Sequence, residues 1–108
     1  MSVQSVYCLC AAWCDTCSAF APAFDAAAQA HPGIAFGWID IEDEAELVDD
    51  VDIETFPTVL ALAGGQVVFC APIRPQREAL ETVLANPGRG RVPAPIAALG
   101  ARLLARAK

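Results

Sequence analysis

Val6-Tyr7-Cys8-Leu9-Cys10-Ala11-Ala12-Trp13-Cys14-Asp15-Thr16-Cys17 changes character halfway along. Residues 3–10 are a short apolar run rich in strand formers, which reads as a buried strand. The run breaks at Ala11. From Cys14 to about Ala30 strong helix formers follow, with Phe20, Phe24, Ala27 and Ala28 at helical spacing. Pro22 interrupts the helix and should kink it, because it removes a backbone donor and crowds the preceding turn. His31-Pro32-Gly33 ends it.

Cys14 and Cys17 therefore stand three apart at a helix start. Residues i and i+3 lie on one side of a first turn, so their sulfurs can meet with little backbone movement. The helix N-terminus supplies unsatisfied N–H groups and the positive end of the macrodipole, which favour a thiolate at Cys14. Cys14 is the expected attacking sulfur, and Cys17, one turn in, the resolving one. The acidic side chain of Asp15 suits the helix terminus but opposes a thiolate beside it. Half a zinc site has the same spacing, and its other half would have to come from Cys8 and Cys10, Cys70 or His31. The strand reading instead makes Cys8, Cys10 and Cys70 small core residues. His31, at a helix C-terminus, reads as exposed or as a partner of the helix dipole.

Further along, residues 34–41 form a second apolar strand, and residues 43–51 an acidic, exposed helix with Leu47, Val48 and Val51 on one side. Its acids lack the pattern of a calcium loop. Pro57 opens a strand over residues 58–63, Gly64-Gly65 marks a tight turn, and residues 66–71 complete a hairpin. Pro75 fits the first position of a helix running to about Ala85. A Pro/Gly/Arg linker covers residues 87–95, and a final amphipathic helix spans residues 96–107. The order β-α-β-α-β-β-α implies an α/β domain over residues 1–86, a mixed sheet of about four strands flanked by helices, with the linker and C-terminal helix over residues 87–108.

Length sets one domain, since 108 residues suffice for one modest core. The chain carries thirteen acids against seven bases, for a net charge of −6, and every base except Arg74 and Arg77 lies beyond Gly88. That acidic body argues against nucleic acid as a partner. No apolar run is long enough for a bilayer, and the first residues lack the basic start of a secretory signal, so a cytoplasmic, monomeric protein is expected. Five cysteines, four of them within ten residues, point to redox or metal chemistry and not to a secreted disulfide framework.

Trp13-Cys14-x-x-Cys17, then Pro22, then Phe56-Pro57-Thr58 opening a strand, then Gly64-Gly65, resembles the thioredoxin superfamily over roughly residues 3–85. The resemblance implies a thioredoxin-like fold without the usual first strand and helix. It also implies a cis Phe56–Pro57 bond facing the cysteine pair, and a Trp13 that shapes a docking surface. Phe56, Pro57, Trp13, Asp15, Thr16 and Ile73 become the expected substrate-binding residues. The family's buried aspartate aligns with Cys8, its accompanying lysine with Trp38, its groove glycine with Ile73, and its Gly-Pro between the cysteines with Asp15-Thr16. The implied function is a thiol–disulfide oxidoreductase acting on protein disulfides, with a reductase or oxidant as partner and no cofactor beyond the cysteines. Its rival is a thioredoxin-like binding or assembly module with little redox turnover.

Overall fold

A computed structural model describes residues 3–11, 13–48, 56–86 and 92–106. Strand β1 (Ser5–Cys10) alternates as its sequence does. Val6, Cys8 and Cys10 face one side of the sheet, and Tyr7 and Leu9 the other. Helix α1 (Asp15–Ala30) follows after a short turn, and β2 (Ala35–Asp40) then lies parallel to β1, from Ser5 opposite Ala35 to Cys10 opposite Asp40. Strands β3 (Thr58–Ala63) and β4 (Gln66–Pro72) make the antiparallel hairpin. At its tip Gly64 and Gly65 have φ of 60° and 79°, the left-handed conformations a two-residue hairpin turn needs. The sheet order is β2-β1-β3-β4, with β3 antiparallel to β1. Every residue of β3 is buried, as a central strand covered on both faces requires.

Two apolar layers sit on the two faces. Helices α1 and α2 (Arg77–Ala85) cover one, where Phe20, Phe24, Leu80 and Val83 meet Val6, Cys8, Val59 and Ala61. Helix α3 (Ala94–Arg106) covers the other, burying Leu99 and Leu103 against Leu9, Leu60 and Leu62. The C-terminal helix therefore belongs to the same core as the strands. Its approach to β4 is close: a Cβ on Gly100 would collide with Val67 Cγ2 and lie 3.2 Å from Leu62 Cδ2. Pro22, expected to interrupt the helix, lies inside a continuous α1 with its ring exposed.

Three boundaries differ from the sequence reading. The helix expected over residues 43–51 is absent from its described part, where residues 41–47 form turns. Asp40 explains this. Its Oδ1 accepts from Glu42 N at 2.8 Å and Asp43 N at 3.2 Å, offering those donors a local alternative to a helix. Residues 49–51 of that segment lie outside the described residues. Pro75 is not the first residue of α2: Gln76 is the N-cap in extended conformation, and its N–H is held by Arg74 O at 2.7 Å. Helix α3 starts before Ile96, because Pro93 and Pro95 fall near a helix start, where missing N–H groups cost little. Pro93 O accepts from Ile96 N and Ala97 N at 3.0 and 3.1 Å. Residues 87–91 of the expected linker are outside the described residues.

Candidate functional site

Cys14 caps α1. Its φ and ψ of −89° and 111° are extended, its N–H bonds Ala11 O at 3.0 Å, and its carbonyl accepts the first helical bond from Ser18 N at 3.2 Å. Its side chain makes no capping hydrogen bond. The thiol is free and half-buried, packed on the edge of the α1/α2 layer. Asp15 and Thr16 are exposed on the first turn beside it.

Cys17, two residues into the helix beyond Asp15, points inward and is 1% exposed. The sequence reading pairs it with Cys14. In the structure it is instead bonded to Cys10, with Cα atoms 6.0 Å apart. The reason is geometric. Cys10 ends β1 on the face that α1 covers, and the short turn through Trp13 folds the first turn of the helix back over that strand end. The Cα separation then falls in the ordinary disulfide range. Cys10 is thus the residue that sequence reasoning missed as chemistry and assigned to packing. Strand periodicity places Cys8 and Cys10 on one face but carries no signal of which helix residue descends onto it.

Cys8 Sγ lies 3.4 Å from Cys10 Sγ, both buried. Burial pushes the Cys8 thiol up to about 12, so it remains protonated at neutral pH. Burial raises Cys70 as well. Trp38 is the register neighbour of Cys8 across the β1–β2 pair and packs edge-on to Phe24, ring centroids 5.6 Å apart. The only buried polar residue among the described ones is Thr58, so no carboxylate sits in this interior. Among the described residues no group of three His, Cys, Asp or Glu is arranged to hold a metal ion.

The other expected residues lie at or near the surface except Pro57, whose ring is fully buried. The Phe56–Pro57 peptide bond is cis. Phe56 meets Trp13 edge-to-face at 5.7 Å and 88°, which joins the residue before Cys14 to the residue before Pro57. Pro57 O accepts from Ile73 N at 3.1 Å, bringing Ile73 to the same loop. Trp13 itself is 67% exposed, an unusual position for an indole and the largest apolar surface at the site. His31 is not simply exposed: its Nε2 lies 2.7 Å from Glu81 Oε1, tying the end of α1 to α2.

The thioredoxin family profile matches residues 4–86, more than half of the chain and the whole of the described site. The chain belongs to the thioredoxin family. A relative from Streptomyces coelicolor is 36% identical over 62 residues, which are 57% of this chain and 46% of its own. Thioredoxin-1 of Caenorhabditis elegans is 31% identical over 58 residues, 54% of this chain and 50% of its own. The chain therefore spans about half the length of these curated relatives. Among solved structures, oxidised mitochondrial thioredoxin 3 of Saccharomyces cerevisiae superposes with a TM-score of 0.67 at 23% identity, over 75% of this chain and 76% of that one. Fasciola hepatica thioredoxin gives 0.68 at 22%, over 75% and 77%. These structural likenesses extend the family's fold to this chain.

Proposed function

We propose that this thioredoxin-family chain is a thiol–disulfide oxidoreductase acting on protein disulfides, with Cys14 as its nucleophile. The observation that carries the reading is the placement of Cys14. It is a free, half-buried thiol at the N-cap of α1, flanked by an exposed Trp13 that touches Phe56 next to the cis Pro57. In the reaction, Cys14 Sγ attacks one sulfur of a substrate disulfide. The substrate S–S bond breaks, a mixed disulfide forms, and the released substrate thiolate takes up a proton. With Cys17 in the thiol form, its Sγ then attacks Cys14 Sγ, releasing the second substrate thiol and leaving Cys14–Cys17 oxidised.

Trp13, Phe56 and Ile73 would supply an apolar rim for an extended polypeptide and Asp15 and Thr16 its polar edge, with Pro57, its ring buried, shaping the backbone between them. The electrons pass through the cysteines alone, so the reading calls for no further cofactor. A separate reductase or oxidant completes the cycle. The net charge of −6 suits protein and not nucleic-acid partners, and we place the chain in the cytoplasm as a monomer. A second reading, a docking module with little turnover, draws support from Cys17 being bonded away from Cys14.

A Cys17→Ser variant separates them. It should hold substrates on Cys14 as mixed disulfides, and the intact protein should reduce insulin in the presence of dithiothreitol. Failure of both would leave only the docking reading.

A further inference from the structure

Four cysteine sulfurs run inward from the surface. Cys14 is half-buried at the helix cap, Cys17 lies beneath it bonded to Cys10, and Cys8 lies 3.4 Å beyond Cys10. Cys17 thus has two partners. One is three residues before it on the helix start, and the other is on the strand under that start. We infer that Cys10 is a third redox-active residue, and that the disulfide on Cys17 moves between Cys10 inside and Cys14 outside. The inference rests on the exchange chemistry proposed for Cys14 and Cys17.

The exchange is balanced without any outside reagent. The Cys14 thiolate attacks Cys17 Sγ, the Cys10–Cys17 bond breaks, and the Cys14–Cys17 bond forms. Cys10 leaves as a thiolate and takes up the proton that Cys14 gave up, so no electrons are gained or lost. The reverse step moves the disulfide inward and frees Cys14. Two features of the site bear on it. Cys14 is half-buried at the helix cap while Cys10 and Cys17 are each 1% exposed, so one partner of Cys17 is reachable from the surface and the other is enclosed. The thiol of Cys8, protonated and within sulfur hydrogen-bond distance, can donate to the thiolate that Cys10 becomes, replacing the water that the site excludes. Cys8 is therefore a positioning residue for the departure of Cys10.

A consequence distinguishes this arrangement from an isolated Cys-x-x-Cys pair. The pair alone is either a dithiol or a disulfide, and its oxidised form has no nucleophile. With the disulfide held at Cys10–Cys17, the oxidised protein keeps a free thiol at Cys14. That thiol can attack a second disulfide, but Cys17 is occupied and cannot resolve the product. The inner isomer can capture a partner disulfide through Cys14, whereas the outer isomer, with Cys14 already in the disulfide, can only take electrons from a partner dithiol.

The test uses the full chain. The protein is oxidised in a glutathione redox buffer, quenched in acid, unfolded, and its remaining thiols blocked with N-ethylmaleimide. Cleavage ahead of Asp15 leaves Cys8, Cys10 and Cys14 on one peptide and Cys17 on the next, and fragmentation of the linked pair locates the maleimide. The expected result is a Cys10–Cys17 link with Cys14 blocked, persisting in a Cys14→Ala variant. In the folded oxidised protein, Cys14 should react with maleimide at least about tenfold faster than in an oxidised Cys10→Ala variant, where Cys17 has only Cys14 to bond. A wild-type map holding the Cys14–Cys17 link alone overturns the inference, whatever the variants do. Insulin reduction by the wild type reads the proposed activity separately: a Cys10–Cys17 link with no insulin reduction would sink that activity and keep the inner disulfide alone.

Discussion

Cys8 shows how a single buried atom sets a pH response. Its thiol is pushed up to about 12 by burial, against an ordinary value of 9.0. A folded-state value above the unfolded one means stability that is complete below pH 9.0 and is lost as pH rises toward 12. Across that window this one group costs about 1.4 kcal/mol per pH unit, because only the unfolded chain releases the proton. Denaturant unfolding at pH 8 and pH 10 should therefore show a larger alkaline loss for wild type than for Cys8→Ala, by roughly 1 kcal/mol. Equal losses would mean that Cys8 ionises freely in the fold. This residue also marks what the sequence could and could not reveal. Its burial was legible from the strand pattern, and so was its replacement of an acid in the family's arrangement. The bond of its neighbour Cys10 was not, because strand periodicity reports a face and not which side chain comes down onto that face from a helix.

Elements bring two contacts with opposite fates under substitution. Gly100 on α3 faces Val67, whose β-branched side chain cannot swing away. Gly100→Ala adds about 1 kcal/mol of helix propensity but forces α3 off β4, an overpacking cost of roughly 1–3 kcal/mol. The net expectation is destabilisation by about 1 kcal/mol, read as a lower denaturant midpoint at unchanged slope. The second contact is His31–Glu81–Arg77, which links the end of α1 to α2. Partial burial raises the Glu81 carboxyl, but hydrogen bonds and charge from His31 and Arg77 outweigh it and hold it below its ordinary 4.5. A depressed carboxyl stabilises above its unfolded value, and the contribution disappears as pH falls through the folded one. Glu81→Gln should therefore flatten the acid limb below pH 4.5 while changing neutral stability by under about 1 kcal/mol, since the pair is a third exposed. Unfolding midpoints at pH 3 and 7 decide it. Strands and hairpin were legible because apolar periodicity and Gly64-Gly65 dictate them locally. The acidic segment was misread because composition there favoured a helix, while one side chain, Asp40, held the first donors in a turn.

At the scale of the whole molecule, α3, which the sequence reads as a final amphipathic helix packing on its own domain, supplies a cover for one face of the sheet. Leu99 and Leu103 are 0% and 1% exposed against Leu9, Leu60 and Leu62. Ending the chain at Asn86 exposes that layer and removes the two leucines, roughly 3–6 kcal/mol by apolar burial and less if the unfolded chain is compact. The truncated chain should lose cooperative unfolding or its midpoint should fall sharply; unchanged stability would show that the sheet does not need α3. The site depends on the same assembly, since Cys10 and Cys17 meet only where β1 and α1 are pressed together.

The apolar interior also governs how the reaction would depend on its medium. Cys8 and Trp38 face each other in the β1–β2 register at the positions that align with the family's buried acid and its lysine, and no carboxylate is buried among the described residues. A proton leaving Cys17 thus meets no buried carboxylate among the described residues, and a dissolved base is its expected acceptor. Rates of disulfide exchange should accordingly climb with the concentration of buffer base at fixed pH and ionic strength, in imidazole or phosphate alike. A protein with its own internal proton acceptor would be indifferent to buffer concentration; this one is expected to borrow its general base from solution.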